Sequence, residues 1–144
     1  MLHLIKSATD TFFDCLKQDP VRPHIPHTLR VGDNKDIFVA RNDNNSARAI
    51  TCVSYQSTVP ESESQLFENI NTPNVVVFYT IWSYEPGAGR DLIFAARDWI
   101  ITNRPEIKRF VTLSPPTEMA RKFHIKNGAS IFRTNTDTVN YEYR

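Results

Sequence analysis

Residues 107–129 read IKRFVTLSPPTEMARKFHIKNGA. Ile107, Phe110, Val111 and Leu113 give the first part the apolar, β-branched character of a strand. Pro115 and Pro116 end that strand, because neither can donate to a sheet ladder. Residues 117–126 then read as a helix. Asn127 and Gly128 stop it, being the residues that most readily adopt the left-handed conformation of a C-cap. Ser114 falls at the strand end and His124 near the helix end, with nine residues between them. A single strand–turn–helix unit thus carries a hydroxyl and an imidazole.

Upstream, VVVFYTIW over residues 75–82 is the most apolar run of the chain. It is β-branched and aromatic throughout, as expected of a central strand buried on both faces, and the strand is read over residues 74–82. Pro86-Gly87-Ala88-Gly89-Arg90 follows. Leu92, Ala96, Trp99 and Ile100 then fall on one face of an amphipathic helix that Arg104-Pro105 ends. A strand, a crossover helix and a second strand predict parallel pairing of 74–82 with 107–113. The chain has only four glycines, and Gly87, Gly89 and Gly128 lie in this region. Amides of residues 88–91, at the positive end of a helix, suit an anion such as a pyrophosphate. The turn is neither a Walker A loop nor a GxGxxG fingerprint. A plain strand-to-helix connection is the competing reading.

Further out, residues 2–6 read as a strand. Residues 7–17 read as a helix capped by Ser7 or Thr9, with Phe12, Phe13 and Leu16 on one side. Pro20, Pro23 and Pro26 make residues 19–27 irregular. A turn at 31–35 leads to a hairpin of strands 36–41 and 47–56 across the Asn-rich turn 42–46. The acidic stretch 60–71 holds a short helix at 63–68. Residues 130–144 give final strands split near 135–138. The order predicts an α/β (α+β) fold with a central mixed sheet flanked by helices, in one domain spanning 1–144.

The chain has 144 residues, enough for one domain with one core. A net charge of +1 gives no large basic field, so neither nucleic acid nor a membrane surface is expected as partner. No run of about 18 apolar residues occurs. The polar start MLHLIKSATD is not a signal peptide, so a cytoplasmic location is expected. A homodimer is compatible with this composition. Cys15 and Cys52 lack CxxC spacing and are expected as reduced thiols. No His, Cys and Asp cluster has metal-ligand spacing, so no metal is expected.

These segments resemble the Gcn5-related N-acetyltransferase (GNAT) superfamily. Its (R/Q)-x-x-G-x-(G/A) pyrophosphate turn corresponds to residues 84–89, with Tyr84 where Arg or Gln is usual. Its A-x-x-F-Y-x-x-x-G pattern corresponds to residues 120–128, with His124 where a tyrosine general acid is common. Within that superfold the second half is similar to the catalytic domain of malonyl-CoA decarboxylase. The matching blocks are Val77-Phe78-Tyr79-Thr80-Ile81, Gly89-Arg90-Asp91-Leu92-Ile93, Phe110-Val111-Thr112-Leu113-Ser114-Pro115, Phe123 to Ala129, and Val139-Asn140-Tyr141-Glu142-Tyr143. They cover about half of the chain in the same order. The family's long insertion between the serine and histidine motifs is missing here, and its P-I-P-G-F is reduced to residues 115–119.

The resemblance implies a GNAT-like acyl-CoA N-acyltransferase fold whose fourth and fifth strands run parallel and then splay. It implies coenzyme A or acyl-CoA as ligand, held by Trp82, Ser83, Tyr84, Gly87, Ala88, Gly89 and Arg90. Thr112 and Tyr141 are expected beside the substrate. It also implies decarboxylation of malonyl-CoA or a related β-carboxyacyl-CoA, with backbone amides near residues 82–84 on the enolate. Ser114 would place the carboxylate, and His124, as an imidazole titrating near neutrality, would donate the proton. Acetyl transfer to an amine and a non-catalytic acyl-CoA-binding or protein-interaction module are the other readings. A helix from Thr117 to His124 rises about 10 Å, so Ser114 must bend back from its strand to share a site with His124. Otherwise Ser114 is a helix N-cap with Pro115 at the first helical position.

Overall fold

The computed structural model describes residues 1–68 and 70–144; Asn69, within the acidic stretch 60–71, lies outside the described residues. Strands β1 (Leu2–Ile5), β2 (Lys35–Arg41), β3 (Ala47–Gln56), β4 (Val75–Ser83), β5 (Arg109–Thr112), β6 (Ser130–Thr134) and β7 (Val139–Tyr143) form one sheet. Their order is β1-β2-β3-β4-β5-β7-β6. Among the described residues only β4 and β5 pair in parallel, and helix α1 (Ala88–Asn103) makes the crossover between them. A second helix, α2 (Glu118–Lys126), links β5 to β6.

Both faces of the sheet are covered. On one face Leu92, Ile93, Ala96 and Ile100 of α1 pack on Phe38, Val53, Val76 and Phe78. Trp99 closes the edge of that layer, its ring 5.4 Å from Phe38. On the other face Val75, Val77 and Tyr79 of β4 meet Leu16, Ile25 and Leu66, carried by the segments around three short 3₁₀ turns.

The first of these turns replaces the expected helix at 7–17: only Phe13–Gln18 is regular, and it is 3₁₀. The Asp10 carboxylate accepts the Phe12 amide at 2.8 Å and holds the His3 ring at 2.7 Å. A side chain that takes a nearby amide offers the backbone an alternative to the helical ladder. The short helix expected at 63–68 is likewise a 3₁₀ turn, Glu63–Phe67.

Two irregularities shape the centre of the sheet. First, Cys52 pairs with Thr80 and Val53 with Phe78, so Tyr79 is an extra residue in β4. This β-bulge shifts the alternation by one. Before it, Val76 and Phe78 face α1; after it, Ile81 faces α1 and Trp82 joins Tyr79 on the opposite face. Second, β5 leaves β4. Their pairing runs from Val75 with Arg109 to Phe78 with Thr112. It closes with the Leu113 amide donating to Phe78 O at 3.0 Å. Ser114 then exchanges both backbone hydrogen bonds with Val139 of β7, each 2.9 Å. A gap therefore opens in the sheet between residues 79–83 and residues 113–114.

Candidate functional site

The gap is a cavity of about 360 Å³. Ser114 and His124 both line it. They share it because Ser114 is not a helix cap. It stays in the sheet, bonded to Val139, and the chain turns through both prolines before α2 begins. Thr117 caps α2 instead, its Oγ1 accepting the Ala120 amide at 3.2 Å. His124 is the buried residue of α2.

Ser114 Oγ donates to Thr112 Oγ1 at 2.8 Å, and the Tyr141 amide donates to the same oxygen at 3.0 Å. Thr112 is fully buried behind the cavity. It is not among the residues that line the cavity. Tyr141 is also behind the wall, its ring stacked on His124 with centroids 5.0 Å apart. The Thr112 carbonyl accepts Asn140 Nδ2 at 2.8 Å, which fixes the same corner.

His124 is 4% exposed. Its Nδ1 lies 2.7 Å from the Tyr143 hydroxyl. Burial pushes the imidazole from its ordinary 6.5 down to about 4. Burial raises the Tyr143 phenol, so that hydroxyl keeps its proton. The direction for His124 runs below the near-neutral titration expected of the ring. Near neutral pH burial favours the uncharged ring, which can offer an N–H but no positive charge.

At the glycine turn, Gly87 has φ +80 and precedes α1 as its N-cap. The Ala88 amide is occupied by Glu85 O at 3.3 Å, and the Asp91 amide by Gly87 O at 3.2 Å. Gly89 and Arg90 lie between them in the first turn, where amides have no intrahelical acceptor. Gly89 carries no side chain for a further reason: a Cβ there would stand 3.3 Å from the Phe123 ring of α2. Arg48 flanks the turn, bonded to Glu85 at 3.2 Å and Asp91 at 3.4 Å. The Arg90 guanidinium lies over the Phe94 ring at 5.4 Å.

Of the three residues expected at the strand end, Tyr84 turns elsewhere. Its amide donates to Arg48 O at 2.7 Å. Its hydroxyl meets Gln18 and accepts Trp82 Nε1 at 3.0 Å. An antiparallel ladder alternates inward and outward amides, so pairing of Tyr84 with β3 aims the amides of Ile81 and Ser83 at the gap. The amides facing the cavity are thus 81 and 83, shifted from the expected 82–84.

Sequence reasoning does not single out Arg22. Its Nε donates to Tyr79 O at 2.8 Å and its Nη2 to Leu113 O at 2.7 Å. One guanidinium so spans the two diverging strands. Its Nη1 pairs with Glu63 at 2.8 Å. The only local signal is a proline-rich stretch, and its partners are far away in sequence.

No protein-family model and no curated protein sequence matches the chain. Solved structures do. The malonyl-CoA decarboxylase of Rhodopseudomonas palustris superposes with a TM-score of 0.77 at 16% identity, over 99% of this chain and 59% of that one. The malonyl-CoA decarboxylase of Agrobacterium vitis gives 0.73 at 20% identity, over 85% of this chain and 35% of that one. An acetyltransferase of Bacillus subtilis in complex with CoA gives 0.65 at 12% identity, over 99% of this chain and 96% of that one. The chain thus spans between about a third and three fifths of the decarboxylase chains it matches. The fold is that of the Gcn5-related N-acetyltransferases, with the splayed parallel pair expected of it.

Proposed function

We propose that this chain binds acyl-coenzyme A in the gap between β4 and β5, and decarboxylates malonyl-CoA or a related β-carboxyacyl-CoA. The observation that carries this reading is that Ser114 and His124 line one cavity, which the Gly89 turn also borders. The pyrophosphate would lie on the amides of Gly89 and Arg90. The thioester would lie along the amides of Ile81 and Ser83.

Among the described residues, none that lines the cavity is Lys, Arg, Asp or Glu. A malonyl carboxylate placed there meets the Ser114 hydroxyl, which would turn from Thr112 Oγ1 to donate to it, but no counter-charge. It is poorly stabilised, and it becomes neutral by losing carbon dioxide. The bond from Cα to the carboxylate breaks, and its electron pair flows into the thioester carbonyl. The enolate oxygen then accepts the N–H of neutral His124, a preorganised dipole that costs no reorganisation. Tyr143 donates to Nδ1 in this arrangement, which keeps the proton on Nε2. Cα finally takes a proton from water, leaving acetyl-CoA and carbon dioxide. The depressed imidazole favours this neutral role over delivery of a proton by a cationic ring.

Acetyl transfer to an amine would need a base to deprotonate the acceptor, and the cavity wall just described supplies no carboxylate for it. The test is incubation of purified protein with malonyl-CoA and mass analysis of the products. Acetyl-CoA formed by the native chain, and cut about 10²-fold by Ser114→Ala or His124→Ala, is expected. Intact malonyl-CoA after prolonged incubation would sink the proposal.

A further inference from the structure

Divergence of β4 and β5 strips Tyr79 O and Leu113 O of the ladder partners that a continuous sheet would give them. Buried carbonyls need a donor. Arg22 supplies one to each, at 2.8 and 2.7 Å, and a third arm to Glu63 at 2.8 Å. The planar fork of a guanidinium suits this bridging, and an ammonium would not reproduce it.

The guanidinium is itself held in place. Asp19 Oδ1 accepts the amides of Val21 at 2.8 Å and Arg22 at 3.0 Å. The same oxygen accepts the Thr80 hydroxyl at 2.7 Å, which ties the segment to β4 just past the bulge. Arg30 Nη2 holds the Arg22 carbonyl at 2.8 Å. Pro20 and Val21 line the cavity on this side. Helix α2 and the Gly89 turn border it on the other face of the sheet.

We propose that Arg22 is a positioning residue that seals the strand gap on the face away from the helices, and so keeps water and other nucleophiles off a bound thioester carbonyl. The inference rests on the acyl-CoA reading of the cavity. It adds a specificity: the acyl carbon–sulfur bond is spared while chemistry proceeds at Cα. With the seal broken, water adds to the thioester carbonyl, the carbon–sulfur bond breaks, coenzyme A leaves as its thiol and the acyl group leaves as a carboxylic acid. Closure of a site is a recognised means of preventing such side reactions.

The test uses acetyl-CoA, so that it does not depend on decarboxylation. Native protein, Arg22→Ala and Glu63→Lys are each held with acetyl-CoA, and free thiol is followed with time. Glu63→Lys sets a second cation against the guanidinium without touching the cavity wall. Both variants are expected to release free coenzyme A about tenfold faster or more, a change of one decade in rate. Far-ultraviolet circular dichroism and calorimetric affinity for coenzyme A are expected to stay as in the native chain. Added methylguanidinium is expected to slow the leak of Arg22→Ala. A folded variant that binds coenzyme A normally and leaks no faster than the native protein overturns the proposal. If Arg22→Ala does not fold, Glu63→Lys alone decides. Failure of the decarboxylation reading shows separately, as malonyl-CoA left intact by native protein. Native protein with no affinity for coenzyme A overturns both.

Discussion

The Nδ1 atom of His124 stands 2.7 Å from the hydroxyl oxygen of Tyr143. The phenol is buried and keeps its proton, and in the proposed arrangement it donates to Nδ1 and so holds the ring hydrogen on Nε2. Tyr143→Phe removes that constraint while keeping the aromatic ring that meets Phe94 edge-on at 6.5 Å. A lost hydrogen bond of about 1.4 kcal/mol corresponds to about tenfold in rate. Turnover of malonyl-CoA by Tyr143→Phe should therefore fall about tenfold with coenzyme A affinity unchanged. Steady-state kinetics beside calorimetry checks this, and unchanged turnover would detach Tyr143 from the chemistry.

Burial of His124 also makes stability depend on pH. Its folded value of about 4 lies below the ordinary 6.5, so the unfolded chain takes the proton first as pH falls. The contribution is complete above pH 6.5 and is lost as pH drops towards 4. The full difference is about 3 kcal/mol at about 1.36 kcal/mol per unit. His124→Gln lacks this titration, while all other groups titrate in both proteins. Urea unfolding at about pH 7.5 and about pH 4.5 should show the native chain losing about 2 to 3 kcal/mol more than the variant. Equal losses would mean that the ring is solvated in the folded state.

Much of this arrangement is legible in the chain. The run 75–82 and the stripe of Leu92, Ala96 and Ile100 announce a buried strand and its crossover helix, because burial dictates composition and period directly. Strand β3 can be read to its limits, since Asn42 and Ser46 mark the hairpin. The bulge at Tyr79 is not legible: an extra residue in an all-apolar strand leaves the pattern unchanged. It nevertheless decides that Trp82 leaves the helix face and which amides meet the gap. Arg22 and Asp19 escape notice for a different reason. Their partners Tyr79, Leu113 and Thr80 are distant in sequence, and no local periodicity encodes such pairs. His124 stands out through its motif, but its neutrality does not, because that depends on Tyr141 and Tyr143 packing around it.

The two glycines of the turn should respond to substitution for different reasons. Gly87 has φ +80, and a Cβ added to it would have nothing within 4 Å. Gly87→Ala therefore meets backbone strain alone, about 1 kcal/mol or more. Gly89 has helical backbone, but its Cβ would press on Phe123 at 3.3 Å. Gly89→Val should therefore cost about 1 to 3 kcal/mol by overpacking, and should displace the cavity wall that Phe123 forms. Thermal unfolding reports the first effect. For Gly89→Val, a loss of coenzyme A affinity should accompany the loss of stability, and Phe123→Leu should relieve both. Failure of that relief would place the cause of lost binding at the amides of the turn itself.

The largest loss of stability is expected at Asp19. Its carboxylate and the Arg30 guanidinium are both fully buried and 2.8 Å apart. Arg30 also reaches Arg22 O at 2.8 Å and Ile25 O at 3.3 Å, so its position is fixed by more than the ion pair. Asp19→Ala leaves that guanidinium without a counter-charge in the interior. It also strips the Thr80 hydroxyl and the amides of Val21 and Arg22 of their acceptor. Breaking a buried pair in this way costs about 3 to 5 kcal/mol. Replacing both partners, as in Asp19→Leu with Arg30→Met, should cost much less, since no charge is then stranded. Chemical denaturation of the single and double variants tests this. A single variant as stable as the native chain would show that water reaches Arg30, and that the segment carrying Arg22 is not anchored through Asp19.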